Sequence, residues 1–151
     1  MNTNKTIGLI GGNGSFASAY FYKLLLDKAV RDYGAKCNDD FPHIILDSIP
    51  VPDFISDEKC IDIASKILQK SIKIINKHKP IGVAILCNTI HFLNPKVPNF
   101  VSLVEMTCDE VIKRKYKKVG VLATPTTIKH DLYGKFLLLY REIRTFFKSL
   151  H

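Results

Sequence analysis

The sequence predicts an α/β fold: a parallel sheet with helices on both faces. Three observations predict it. Short apolar runs alternate with longer stretches whose apolar residues recur every three or four positions. The run Ile81–Leu86 is continuously apolar, as in a strand buried on both faces of a parallel sheet. Gly, Asn, Cys and Thr cluster directly after the apolar runs, where ligands sit in open α/β sheets.

Thr6–Ile10 is the first strand, and Gly11-Gly12-Asn13-Gly14-Ser15 follows it at once. Apolar residues at Ala17, Tyr20, Phe21, Leu24 and Leu25 then predict a helix from Phe16 to about Tyr33. Asp39–Pro42 breaks that pattern, and His43–Asp47 is the second strand. Ile49-Pro50-Val51-Pro52-Asp53 is an extended loop, because two prolines remove ladder donors. Ser56-Asp57-Glu58 starts the next helix, capped by Ser56 or Asp57. Its stripe is Ile61, Ala64, Ile67, Leu68, Ile72 and Ile75, ending at Asn76. Ile81–Leu86 is the third strand and ends in Cys87-Asn88-Thr89. Ile90–Leu93 is a short segment, Val101–Val104 a further short strand, and Met106–Lys115 a helix. Val119–Leu122 is a strand closed by Ala123-Thr124-Pro125. A last helix runs from Thr126 or Thr127 through Phe136, and the tail Leu137–His151 reads as an apolar-basic helix.

The 151 residues suit one domain, or one domain and the start of a second. With 46% apolar and 24% charged residues the chain is an ordinary globular one, not a disordered one. No apolar run approaches the roughly 18 residues of a membrane span. Met1–Lys5 is polar and lacks a signal-peptide core, so the cytoplasm is expected. Lys plus Arg total 22 against 14 acidic residues, a net charge of +8. The basic residues are spread over Lys66–Lys79 and Lys113–Lys118, which reads as solvated helix faces, and no nucleic-acid motif accompanies them. Cys37, Cys60, Cys87 and Cys108 show no CxxC or CxxH spacing, so no zinc is expected and all are read as reduced thiols.

Three motifs bear on chemistry. Gly12-Asn13-Gly14-Ser15-Phe16-Ala17 formally fits the dinucleotide fingerprint, but the acid ending the second strand, Asp47, lies well beyond the required spacing of about 20 residues. A tight structural turn and a loop for a small anion such as a carboxylate both stay open. Cys87, just past a central strand, is either an inert small hydrophobe or a reactive thiol. If the following amides open a helical turn, they lower its pKa and bind a carboxylate. Thr124-Pro125-Thr126-Thr127 either caps a helix or binds an anion. His91 is a candidate neighbour of the thiol; His43 and His130 carry no pattern.

Ile7–Gly14, Cys87-Asn88-Thr89-Ile90-His91 and Val119–Thr124 together resemble the aspartate/glutamate racemase family, whose usual forms are a GGMG loop, a CNTxH strand end and a GLLAT strand. Asp47–Asp53 and Glu105-Met106-Thr107 match in place and order, so the resemblance runs from about Thr6 to Phe136. It implies a cofactor-independent racemase of two similar α/β lobes, each giving one cysteine to the substrate Cα. Residues 1–104 would be the first lobe, and 105–151 a connecting helix with part of the second. Carried over, Cys87 is the acid/base, while Asn88 and Thr89, helped by Asn13, Ser48 and Thr124, hold the substrate. The implied ligand is an amino acid, by default aspartate or glutamate; no cofactor, nucleic acid or membrane is implied.

The sequence departs from the family in three ways. Asn13 replaces the loop methionine. Phe54 stands where aspartate-specific members carry an arginine. The chain stops before the second-lobe Cys-Thr-Glu motif, as expected of a truncated or frame-shifted gene, or of a fragment. Exposed second-lobe surface then favours a homo-oligomer, with two copies turning both Cys87 thiols toward one pocket. The rival expectation is an inactive half-enzyme that serves at most as a binding module.

Overall fold

A computed structural model of the chain describes residues 5–54, 58–137 and 144–149. Strands β1 (Thr6–Gly11), β2 (His43–Ser48), β3 (Gly82–Ile85) and β4 (Phe100–Val101) form one parallel sheet in the order β2-β1-β3-β4. β5 (Lys118–Ala123) and β6 (Arg144–Ser149) form a second parallel pair.

The two long helices flank the first sheet. A Cβ on Gly8 would strike Ile75 of helix α2 (Ile61–Asn76), whereas one on Gly11 would strike Ser18 of helix α1 (Ser15–Tyr33). Residues three apart on a strand point to opposite faces, so α1 and α2 lie on opposite sides. The stripe Ala64, Leu68, Ile72 and Ile75 of α2 packs on Ile10, Val83 and Ile85, with Phe54 and Ile90 completing the core. α1 ends at Gly34, whose φ of +71° lets its amide and that of Ala35 bond back to Val30 and Ala29. Only Ser18 and Ala29 of α1 are buried. Its Phe16 is 94% exposed, and Leu122 of β5 is 67% exposed. Among the described residues no helix is long and apolar enough to cross a membrane.

Three local expectations are corrected. Val101–Val104 is not one strand: β4 stops at Val101, and Ser102 accepts the Glu105 amide at 3.2 Å to cap helix α3 (Leu103–Lys113). A hydroxyl at that position takes Leu103 and Val104 into the helix. The helix expected to run through Phe136 is two short ones, α4 (Pro125–Lys129) and α5 (Gly134–Leu137). Asp131, at φ +48°, turns the chain between them. The tail helix is not formed over Arg144–Ser149, which pairs with β5 from Lys118↔Arg144 to Ala123↔Ser149. Thr145, Phe146 and Phe147 are strand-forming types, and β5 offers a free edge. β5 is therefore not left without a ladder neighbour. The proposed cap residues Ser56 and Asp57 lie outside the described residues, as do 138–143.

Candidate active site

β1 and β3 are neighbours with Ile10 opposite Ile85, so the glycine loop and the Cys87 turn leave the same sheet edge side by side. Gly12 has φ +88°, and a Cβ there would lie 2.5 Å from the Ile49 carbonyl oxygen. Only glycine lets the loop settle this closely on the Ser48–Ile49 backbone. Ser18, one turn into α1, accepts the Gly12 amide at 3.1 Å and donates to the Gly14 carbonyl at 3.1 Å. The loop is thus fastened to the helix, and Asn13 at its tip donates its side-chain amide to the Cys87 sulfur at 3.2 Å.

Cys87 is half-buried at the start of a 3₁₀ turn over Thr89–Leu93. The amides of Thr89 and Ile90 face the sulfur and favour the thiolate, as the sequence predicts. Burial outweighs them, so the thiol is held above its ordinary value rather than below it. The expectation of a lowered pKa is corrected on that ground.

Thr89 is buried, and its hydroxyl lies 3.1 Å from that of Thr124. Thr127 adds a third hydroxyl, 3.1 Å from Thr124 and 3.4 Å from Thr89. Thr124 also caps α4 by accepting the Thr127 amide at 3.3 Å. Thr124 therefore caps α4 while its hydroxyl also faces Thr89 in the turn after β3. Thr124→Ala is expected to cost about 1–2 kcal/mol in urea unfolding, with Thr124→Ser restoring most of it. Asn88, beside Cys87, accepts the Tyr133 hydroxyl on Oδ1 at 2.6 Å.

Asn13, Cys87, Asn88, Thr89 and Thr124 are thus brought together. Ser48 is exposed at the end of β2, opposite Gly11 and one strand farther from β3, with its backbone against Gly12 of the loop. The match in sequence order places it at the same sheet edge, but strand order sets it apart from Cys87. His91 holds the turn rather than the sulfur. Its Nδ1 donates to the Cys87 carbonyl at 2.8 Å, which leaves Nε2 as a buried acceptor, and burial lowers its pKa. Asp47 accepts from Ser71 at 2.7 Å and belongs to the packing of α2 on β2. Phe54 is 2% exposed, with its ring 5.7 Å from that of Phe92, and brings no charge to the site.

The other cysteines lie elsewhere. Cys37 is exposed beside a 3₁₀ turn, and Cys60 packs against the core at the entry to α2. Cys108 is buried in α3 and pushed up to about 11 by burial and by the charges of Asp109 and Glu105. Tyr133 is the residue that sequence reasoning misses. Read as part of a continuous helix, it carries no sign that the turn at Asp131 sends it toward Asn88. Among the described residues no group of three or more His, Cys, Asp or Glu is placed to hold a metal.

No protein-family model matches the chain. It is 30% identical over 138 residues to the broad specificity amino-acid racemase RacX of Bacillus subtilis (strain 168), an alignment covering 87% of this chain and 60% of RacX. The solved structure of an aspartate racemase homologue from Pyrococcus horikoshii OT3 is 27% identical with a TM-score of 0.73, covering 96% of this chain and 65% of that one. Picrophilus torridus aspartate racemase shares the fold at 24% identity and a TM-score of 0.78, covering 95% and 62%. The chain thus spans somewhat under two thirds of the length of these relatives. Likeness in sequence to an amino-acid racemase and in fold to an aspartate racemase homologue supports its assignment to the aspartate/glutamate racemase family.

Proposed function

We propose that this chain carries one half-site for racemisation of an amino acid without pyridoxal phosphate, with Cys87 as the acid/base at Cα. The observation that carries the reading is the Asn13 amide on the Cys87 sulfur at 3.2 Å, beside the Thr89–Thr124 hydroxyl pair at 3.1 Å. An amino-acid Cα–H is a very weak acid, and no electron sink is used. The Cys87 thiolate takes the Cα proton and becomes the thiol. The electron pair left on Cα spreads into the substrate carboxylate. A second thiol on the opposite face then gives its proton to Cα, which inverts the centre and leaves that thiol as thiolate. Asn13 and the turn amides steady the thiolate, while Asn88, Thr89 and Thr124 hold the carboxylate as charge builds on it.

Burial holds Cys87 above the ordinary thiol range, so the thiolate is the minor form at neutral pH. kcat/KM is therefore expected to climb by nearly tenfold per pH unit from about pH 6.5 to 8.5. A flat profile would contradict Cys87 as the base.

In this reading the second thiol is the Cys87 of a second copy, with two Cys87 sulfurs facing one substrate. The exposed Phe16 and Leu122 supply apolar surface for such pairing. We place residues 1–104 in a first lobe and 105–151 in a connecting helix and part of a second, a division that the two separate sheets support, although α3 already begins at Leu103. Reduced thiols suit the cytoplasm. Aspartate and glutamate are the default substrates. The apolar, buried Phe54 gives no cation for a side-chain carboxylate, so neutral amino acids belong in the same trial.

A chiral assay on these amino acids, run with native mass measurement, tests the reading. Turnover at dimer mass supports it. A monomer that binds an amino acid without turnover would identify the inactive binding module instead. Neither binding nor turnover would overturn both.

A further inference from the structure

We propose that Tyr133 is the positioning residue for Asn88, holding its side-chain amide so that the NH₂ end, not the carbonyl end, meets the substrate carboxylate. This inference rests on the Cys87–Thr89 turn being the amino-acid site.

A carboxamide can present either an acceptor or a pair of donors, according to which way it is turned. A carboxylate accepts only donors, so a freely turning Asn88 would spend part of its time offering the wrong end. A phenol hydroxyl can donate or accept, and that of Tyr133 takes the donor role here. Its hydroxyl donates to Asn88 Oδ1 at 2.6 Å, which commits that oxygen and leaves both Nδ2 hydrogens for another acceptor. Tyr133 lines a cavity of about 200 Å³ together with Asn88, Cys108 and Val119–Leu122 of β5.

Tyr133 is itself held in place. Its backbone carbonyl accepts the amides of Phe136 at 3.2 Å and Leu137 at 3.0 Å. The turn that delivers it begins at Asp131, φ +48°, and closes at Gly134, where a Cβ would lie 2.1 Å from the Asp131 carboxylate. Burial also keeps the phenol protonated, and hence a donor, to higher pH than an ordinary tyrosine. The site thereby acquires a residue from beyond β5, a segment that touches the turn otherwise through Thr124 and Thr127 and through the His130 ring stacked on Phe92 at 4.7 Å.

Tyr133→Phe removes the hydroxyl and keeps the ring. Amino-acid Kd by calorimetry is expected to rise about tenfold and kcat to fall as well, since the carboxylate that Asn88 holds gains charge in the transition state. Asn88→Ala should show a similar rise, and Tyr133→Phe added to it should bring no further loss. In ¹⁵N spectra of the amino-acid-free chain, the Asn88 side-chain NH₂ pair should shift and broaden in Tyr133→Phe while the core signals stay. Unchanged affinity in a chain that binds, additive losses in the double variant, or an unmoved Asn88 pair would each overturn the role of Tyr133. A wild-type chain that binds no amino acid would instead overturn the site on which it rests, and the two failures are told apart by that control.

Discussion

Cys87→Ser is expected to lower amino-acid turnover by on the order of 10³-fold while affinity stays within a few-fold. Serine keeps the shape and the hydrogen bond from Asn13. Its hydroxyl is a far weaker acid than a thiol, however, and the surroundings of Cys87 already disfavour charge: burial outweighs the two amides that face the sulfur. The loss should fall on kcat, because Asn88, Thr89 and Thr124 still hold the carboxylate. A chiral assay and calorimetry on the same preparation separate the two quantities. A loss confined to affinity would make Cys87 a binding residue and not the base.

Gly12→Ala is expected to destabilise the chain by about 3 kcal/mol or more and to remove most turnover. Two costs combine. A left-handed backbone disfavours any L side chain by about 1–2 kcal/mol, and Gly12 sits at φ +88°. The added Cβ would also lie 2.5 Å from the Ile49 carbonyl oxygen and 2.6 Å from its nitrogen, and backbone cannot swing aside as a side chain does. Gly14 is the internal control. Its φ is +104°, yet the nearest atom to a Cβ there is Ala17 Cβ at 3.8 Å. Gly14→Ala should therefore lose only the conformational part. Urea unfolding of both variants isolates the clash as their difference; equal losses would show that the loop does not rest on Ile49 as described. Activity should follow the loop, since Asn13 lies between these two glycines.

The sequence was most informative where local chemistry and the sheet agree. The apolar run of β3, the stripe of α2 and the strand-end placement of Cys87 follow from patterns that the structure keeps. Order and motif single out Asn13, Asn88, Thr89 and Thr124, and parallel pairing of β1 with β3 explains why Asn13 and Cys87, 74 positions apart, can meet. What escaped the sequence depends on three-dimensional context. Whether amides or burial govern the Cys87 thiol is a balance of packing that no spacing reveals. Ser48 matches in order, and strand order puts it beside the glycine loop rather than beside Cys87. Tyr133 reaches Asn88 only because the backbone turns at Asp131, and β6 forms because the edge of β5 is there to pair with. Ser102 shows the same limit on a smaller scale: a hydroxyl inside an apolar stretch is a cap only once the direction of the following turn is known.

The most direct measurement is incorporation of solvent deuterium at Cα when the wild-type chain is incubated in D₂O with L- or D-aspartate, L- or D-glutamate, or a neutral amino acid. The expected result is deuterium at Cα together with inversion, both lost in Cys87→Ser. Binding of an amino acid with no exchange at Cα, or exchange that persists undiminished in Cys87→Ser, would contradict the assignment of proton transfer to this sulfur.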